Sequence, residues 1–309
     1  MRLFTNLLFK VTLSSMIVTA PAMMNGSKHD AGSLGKELNM SYYSSAVIKK
    51  FVDHSMLTPA PLYSEGGGKR DEARSYPEDG EKSEKRAFSE ANSAEVKMVI
   101  NEAVLIYEDM SLEKSGLDEK AFEYAWRGYH NLLKKKLIRK KSVLSICDFS
   151  QSSCSKRMYV IDVRHRKLLY RTYVAHGQNS GAEYATSFSN EPDSYKSSLG
   201  FYITKKTYYG RNGLSLRIDG VDSGYNDMAG KRNIVLHGSS YATARYMANN
   251  GALGTSLGCP ALPSTMSPRI IRAVKNGSCL FIYAPATTYL ENSTVINGNG
   301  NSASNSSRG

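Results

Sequence analysis

From residue 94 the apolar positions recur at helical spacing. Val96, Val99, Ile100, Ala103, Val104 and Tyr107 share one face. Lys114-Ser115-Gly116 then makes a turn. Asp118 is placed to cap a second helix whose stripe is Ala121, Phe122, Ala125, Tyr129, Leu132 and Leu133, with Trp126 beside it as a core contact. At Val143 the pattern changes from helical spacing to short apolar runs bounded by Gly, Asn and Ser clusters. Those runs predict strands at 143–149, 158–162, 167–175, 201–204, 215–218, 233–237 and 279–283. The second and third flank the turn Val163-Arg164-His165-Arg166 and read as a hairpin. Short helices are expected at 242–249 and at 267–275, the latter stopped by Asn276-Gly277. The pattern describes a mainly β (α+β) domain with small helices, preceded by a helical pair.

The flanking segments lack this periodicity. Met1-Arg2, the apolar run from Leu3 to Ala20 and the small residues Ala20-Pro21-Ala22 read as a signal peptide over 1–22. Lys10 interrupts a run already short for a membrane span, so membrane attachment follows only if the signal stays uncleaved. Residues 23–93 are rich in Gly, Ser, Lys and Glu and read as a disordered linker, with a short helix around 46–51. The Asn/Ser/Gly-rich residues 288–309 read as a disordered tail. The ordered parts are then a helical extension over 94–140, packed on the core, and the main β domain over 141–287.

Charge narrows the partners. The formal net charge is +12, and residues 143–285 alone carry 17 Lys and Arg against 8 Asp and Glu. A basic folded part favours polyanions. An export signal favours an envelope polymer and excludes nucleic acid. The four cysteines, Cys147, Cys154, Cys259 and Cys279, are too few for a disulfide framework and show no zinc-type spacing. Their pairing stays open.

The chemistry lies near the C-terminal end. The apolar run Asn233-Ile234-Val235-Leu236 leads into His237-Gly238, and Ser256-Leu257-Gly258-Cys259-Pro260 follows after a loop. A thiol attacks as its thiolate, and an imidazole can take its proton. A glycine before the cysteine lets backbone N–H groups turn toward a developing oxyanion. No Asp or Glu lies between His237 and Cys259, and no His-Glu-x-x-His motif occurs, so a zinc peptidase is excluded and no metal or cofactor is implied. In papain-like peptidases the cysteine precedes the histidine; here the histidine comes first.

These residues resemble the signature of murein L,D-transpeptidases with the YkuD-type catalytic domain. The resemblance extends to Asp148-Phe149-Ser150, to the stretch from Val174 through His176-Gly177 to Gly181, to Phe188-Ser189-Asn190 and to the stretch Ser197 to Tyr202. It covers about residues 94 to 285. It implies a β-sandwich or barrel-like domain and a cysteine acyltransferase acting on peptidoglycan stem peptides. Cys259 would form a thioester, His237 would act as base and Gly238 would orient His237 through its carbonyl. Gly258 and Ser256 would shape the oxyanion loop, with the N–H groups of Gly258 and Cys259 as donors. Arg245, Tyr241 and His176 are candidates for substrate contact. Two positions depart from the commoner signature: Leu257 replaces a second histidine, and Pro260-Ala261 replaces an apolar residue followed by Arg or Asn. The implied product is a 3-3 cross-link or attachment of another amine. The alternatives are an L,D-carboxypeptidase that trims tetrapeptide stems and a catalytically silent murein-binding module. With the export signal, the expectation is a monomer exported to the periplasm or cell envelope.

Overall fold

The computed structural model describes residues 78–298, with side chains from residue 90 onward. The signal peptide and the short helix expected around 46–51 lie outside the described residues. Helix α1 spans Glu78–Asp109 and α2 spans Glu119–Lys134. They are joined by a 3-10 turn at Leu112–Ser115 that ends on Gly116. The Asp118 carboxylate accepts from the Ala121 N–H at 2.8 Å, capping α2. Helix α1 begins at Glu78, so residues 78–93, expected as linker, are helical. Their Glu, Lys, Arg and Ala are good helix formers, but they carry no apolar stripe to reveal it.

The two helices meet through Ala103, Ile106 and Tyr107 of α1 and Phe122 and Trp126 of α2, all buried. The rings of Phe122 and Trp126 stack at 5.8 Å. The other side of α2 lies on the sheet. A side chain at Gly128 would meet the Phe201 ring, its first atom only 2.1 Å from a ring carbon, so glycine sets this close approach. Phe201 in turn stacks on Phe281 at 4.2 Å.

The sheet has eight strands: β1 Val143–Asp148, β2 Met158–Asp162, β3 Lys167–Thr172, β4 Gly200–Gly210, β5 Gly213–Gly220, β6 Val235–Ser239, β7 Ala261–Pro263 and β8 Cys279–Tyr283. Their order is β3-β2-β1-β8-β4-β5-β6-β7. The β1–β8 and β6–β7 pairs are parallel and the others antiparallel. Every residue of β1 and β8 is buried, as expected for central strands covered on both faces. Past β3 the chain returns to the far edge. Ala175 and Ala261 exchange N–H···O bonds at 2.8 and 3.2 Å, and this bridge makes the fold barrel-like. Helices α3, Ala244–Asn250, and α4, Ser267–Val274, complete the domain's connections.

The C-terminal segment corrects the expectation of a tail from residue 288. Helices α5, Thr287–Asn292, and α6, Thr294–Asn297, bury Tyr289, Val295 and Ile296. The buried Asp222 carboxylate holds them, accepting from Ser293 Oγ at 2.5 Å, Tyr289 Oη at 3.2 Å and the Phe201 N–H at 2.7 Å. Burial raises the Asp222 pKa, and those donors offset part of the rise. Among the described residues no helix is long and apolar enough to cross a membrane.

Candidate active site

The site is built where β6 and β7 run parallel. Their register sets His237 opposite Ala261, so Cys259, two residues before β7, comes alongside Val235. Strand spacing then puts the His237 and Cys259 backbones roughly 8 Å apart. The Val235 N–H donates to Cys259 Sγ at 3.4 Å, and the thiol points to the Asn233 carbonyl at 3.8 Å. Cys259 is half-buried and Leu257, before it, is well exposed.

His237 is buried on β6. Its Nδ1 lies 3.0 Å from the Gly238 carbonyl oxygen. A carbonyl can only accept, so Nδ1 carries the proton and Nε2 keeps its lone pair. Burial lowers the His237 pKa, and the Gly238 bond opposes this weakly. Burial raises the Cys259 pKa, while the Val235 N–H and the Arg232 guanidinium pull it back. Both shifts favour the uncharged forms. Near neutral pH the two groups therefore rest as thiol and neutral imidazole.

The loop before the thiol is fixed from within and from behind. Ser256 Oγ accepts from the Gly258 N–H at 3.1 Å and donates to the Cys259 carbonyl at 2.6 Å. The Gly258 N–H, expected as an oxyanion donor, is thus committed to Ser256. The Cys259 N–H has no acceptor among the described residues. Gly258 has φ +115, and a side chain there would come 2.8 Å from the Lys196 carbonyl oxygen. A Gly258→Ala variant combines backbone strain with a clash at the residue before Cys259. Acylation of Cys259 by a reactive amide is expected to fall by about 10²-fold, because a small misplacement of the attacking atom is enough for such a loss. Stopped-flow acylation kinetics on the folded variant measure it.

His176 stands behind this loop instead of lining a cleft. It is buried, with Nδ1 at 2.7 Å from Arg157 Nη2 and Nε2 at 3.0 Å from the Gly181 carbonyl. Burial and then the Arg157 charge press its pKa down to about 4, so the ring is neutral and both nitrogens are used. The backbone around it carries the loop: the Ser256 N–H donates to the His176 carbonyl at 2.9 Å, and the Gln178 N–H to the Ser256 carbonyl at 2.8 Å. The sequence candidates for substrate contact therefore separate. Tyr241 is half-buried in the 3-10 turn after β6, and burial first, then the Cys259 charge, raises its phenol pKa. Arg245 is exposed on α3, and His176 is a support.

Arg232 was not singled out by the sequence. It is one Arg among many there, outside the His-Gly and Gly-Cys motifs, and only the fold turns it back onto the Gly258 backbone. A side chain at Gly258 would lie 3.2 Å from Arg232 Nη2. The four cysteines are free. Cys147, in β1, places its Sγ 3.3 Å from Met158 Sδ, and Cys279 is buried in β8. Among the described residues no group of His, Cys, Asp and Glu is arranged to hold a metal ion.

A family model described as the L,D-transpeptidase catalytic domain matches residues 113–283, more than half of the chain and including both His237 and Cys259. The chain belongs to this L,D-transpeptidase family. Solved structures that the chain matches include an L,D-transpeptidase from Mycobacterium smegmatis, at 12% identity and a TM-score of 0.29, covering 46% of this chain and 59% of that one. L,D-transpeptidase 3 from Mycobacterium tuberculosis gives 12% identity and a TM-score of 0.29, with 46% and 61% covered. An L,D-transpeptidase from Stackebrandtia nassauensis gives 12% and 0.29, with 53% and 67% covered. The chain thus spans about 59% of the length of the first of these relatives. No curated protein matches the chain. The assignment to the L,D-transpeptidase family rests on the domain match, which runs from the 3-10 turn between the helices to the end of β8.

Proposed function

We propose that this L,D-transpeptidase domain transfers acyl groups between peptidoglycan stem peptides through a thioester on Cys259. The observation that supports the reading is the register of β6 and β7, which brings the backbones of His237 and Cys259 to roughly 8 Å, with the histidine's Nδ1 on the Gly238 carbonyl and the cysteine directly after a glycine of positive φ.

In this reading Cys259 Sγ attacks the carbonyl at the L-centre of diaminopimelate in a tetrapeptide stem. His237 Nε2 takes the thiol proton as the C–S bond forms. The Cys259 N–H donates to the oxyanion. Collapse breaks the amide C–N bond, His237 returns the proton to nitrogen, and D-Ala leaves as the amine. The side-chain amine of a second stem then attacks the thioester carbon. The C–S bond breaks, His237 takes the amine proton, and a cross-link between two diaminopimelate residues remains. Water in place of the amine gives a tripeptide. Gly238 serves through its carbonyl, Ser256 and Gly258 by holding the turn, and Tyr241 and Arg245 lie on the segment that follows His237. The reading takes the protein as exported, working on the cell wall from the periplasm or envelope.

The test is mass spectrometry of purified tetrapeptide muropeptides incubated with the protein. New dimers with loss of D-Ala support transfer. Tripeptides without dimers move the reading to trimming, and unchanged muropeptides overturn catalysis in favour of a binding module.

A further inference from the structure

Arg232 has an unusual set of partners. Its Nη1 donates to the Ser189 carbonyl at 2.7 Å and to Ser198 Oγ; its Nη2 donates to the Lys196 carbonyl at 2.7 Å and to Ser194 Oγ at 3.1 Å. Four of the five guanidinium N–H groups are thereby held by neutral oxygens. Among the described residues Arg232 forms no ion pair. The Asp193 and Glu191 carboxylates of the same loop influence it only from exposed positions, where water screens them. A half-buried cation held by neutral acceptors keeps its charge for whatever lies beside it.

What lies beside it is the nucleophile's peptide. A Cβ at Gly258 would meet Nη2 at 3.2 Å, so the glycine leaves room for the guanidinium next to that peptide. The sulfur itself sits on the 233–235 backbone, one residue beyond Arg232. The other titratable groups of the neighbouring segment are His237 on β6 and the Tyr241 phenol of the 3-10 turn at Ser240–Ala242, and burial shifts the pKa of both toward the neutral form. The Cys259 charge and the Arg232 charge favour each other's ionised state.

We propose that Arg232 is the fixed cation that stabilises the Cys259 thiolate, acting by charge and not as a carboxylate-binding fork. It is a positioning residue, since it acts through the sulfur and offers little free donor capacity to a substrate. The proposal rests on Cys259 being the nucleophile.

The test is the pH profile of Cys259 alkylation by iodoacetamide. It is run on the full chain in a Cys154→Ser background, with the adduct mapped to residue 259. Cys147 and Cys279 are buried. Arg232→Met is expected to shift the profile toward alkaline pH by about one unit, with about a tenfold slower reaction at neutral pH. Arg232→Lys keeps the charge and is expected to recover most of the rate. If Arg232→Met fails to fold, Arg232→Gln retains donors for the same loop and gives the same readout. An unshifted profile in the neutral variants overturns the proposal. So does a lysine variant as slow as the methionine one, which makes the role purely structural. A raised KM for muropeptides with an unshifted profile also overturns it, in favour of a substrate fork. Failure of the reading of Cys259 looks different: residue 259 then stays unalkylated in the wild type at every pH, or Cys259→Ala keeps its turnover.

Discussion

Cys259→Ala is expected to abolish covalent capture of a carbapenem, with the wild-type protein gaining the mass of one inhibitor and the variant gaining none. The β-lactam is a strained amide that presents the thiolate with the same bond to break as the stem peptide. The loss is at least about 10³-fold in acylation rate, because no neighbouring group replaces the sulfur as nucleophile. Cys147 and Cys279 cannot substitute. Burial pushes the Cys147 thiol up to about 12 and the Cys279 thiol higher still, and neither is exposed. Cys154 is half-buried beside the Gly251 carbonyl, away from any histidine bond. Intact-mass measurement after a fixed incubation checks the result. A variant that still labels removes Cys259 from the chemistry.

The second large effect belongs to His237. His237→Ala is expected to lower the acylation rate at neutral pH by about 10²- to 10⁴-fold, the usual contribution of a placed general base. Its signature is the pH dependence. The His237 pKa is lowered by burial, so the wild type keeps its base form on the acid side, below the ordinary histidine range. The Cys259 pKa is raised by burial, so free thiolate accumulates only above the ordinary thiol range. The wild-type rate is therefore expected to fall only when acid protonates His237, and to stay level from there through neutral pH. Without the imidazole the rate has to follow free thiolate and climb about tenfold per pH unit toward the thiol pKa. Stopped-flow profiles of both proteins distinguish these shapes. A level profile in the alanine variant contradicts a base role for His237.

The readable parts of this molecule were those whose cause is local. His237-Gly238 and Gly258-Cys259 stand within short sequence motifs, and the apolar runs at 158–162 and 279–283 coincide with β2 and β8. The Asp118 cap was readable because the cap, the turn before it and the stripe after it lie within a few residues. Strand β7 was not, since Ala261-Leu262-Pro263 is too short to show alternation and is a strand only because β6 and Ala175 pair with it. The C-terminal helices hide in an Asn- and Ser-rich segment; what orders them is Asp222, far away in the chain. The first turns of helix α1 lack an apolar stripe in the sequence, so the helix shows no periodicity before residue 94. The same reason explains the site. The motif names the thiol and the imidazole, but Ser256 claiming the Gly258 N–H, His176 and Arg157 bracing the loop from behind, and Arg232 reaching Gly258 all depend on pairings set by the sheet. Side chains that act through long-range register leave no spacing to read.

The most direct test of the central claim is to quench a reaction with a tetrapeptide muropeptide at early times, digest the protein in acid and read the mass of the peptide containing residue 259. The account predicts that this peptide carries the stem acyl group as a thioester, with D-Ala released in equal amount. An acyl group on any other residue, or dimers formed while Cys259 stays unmodified, contradicts it.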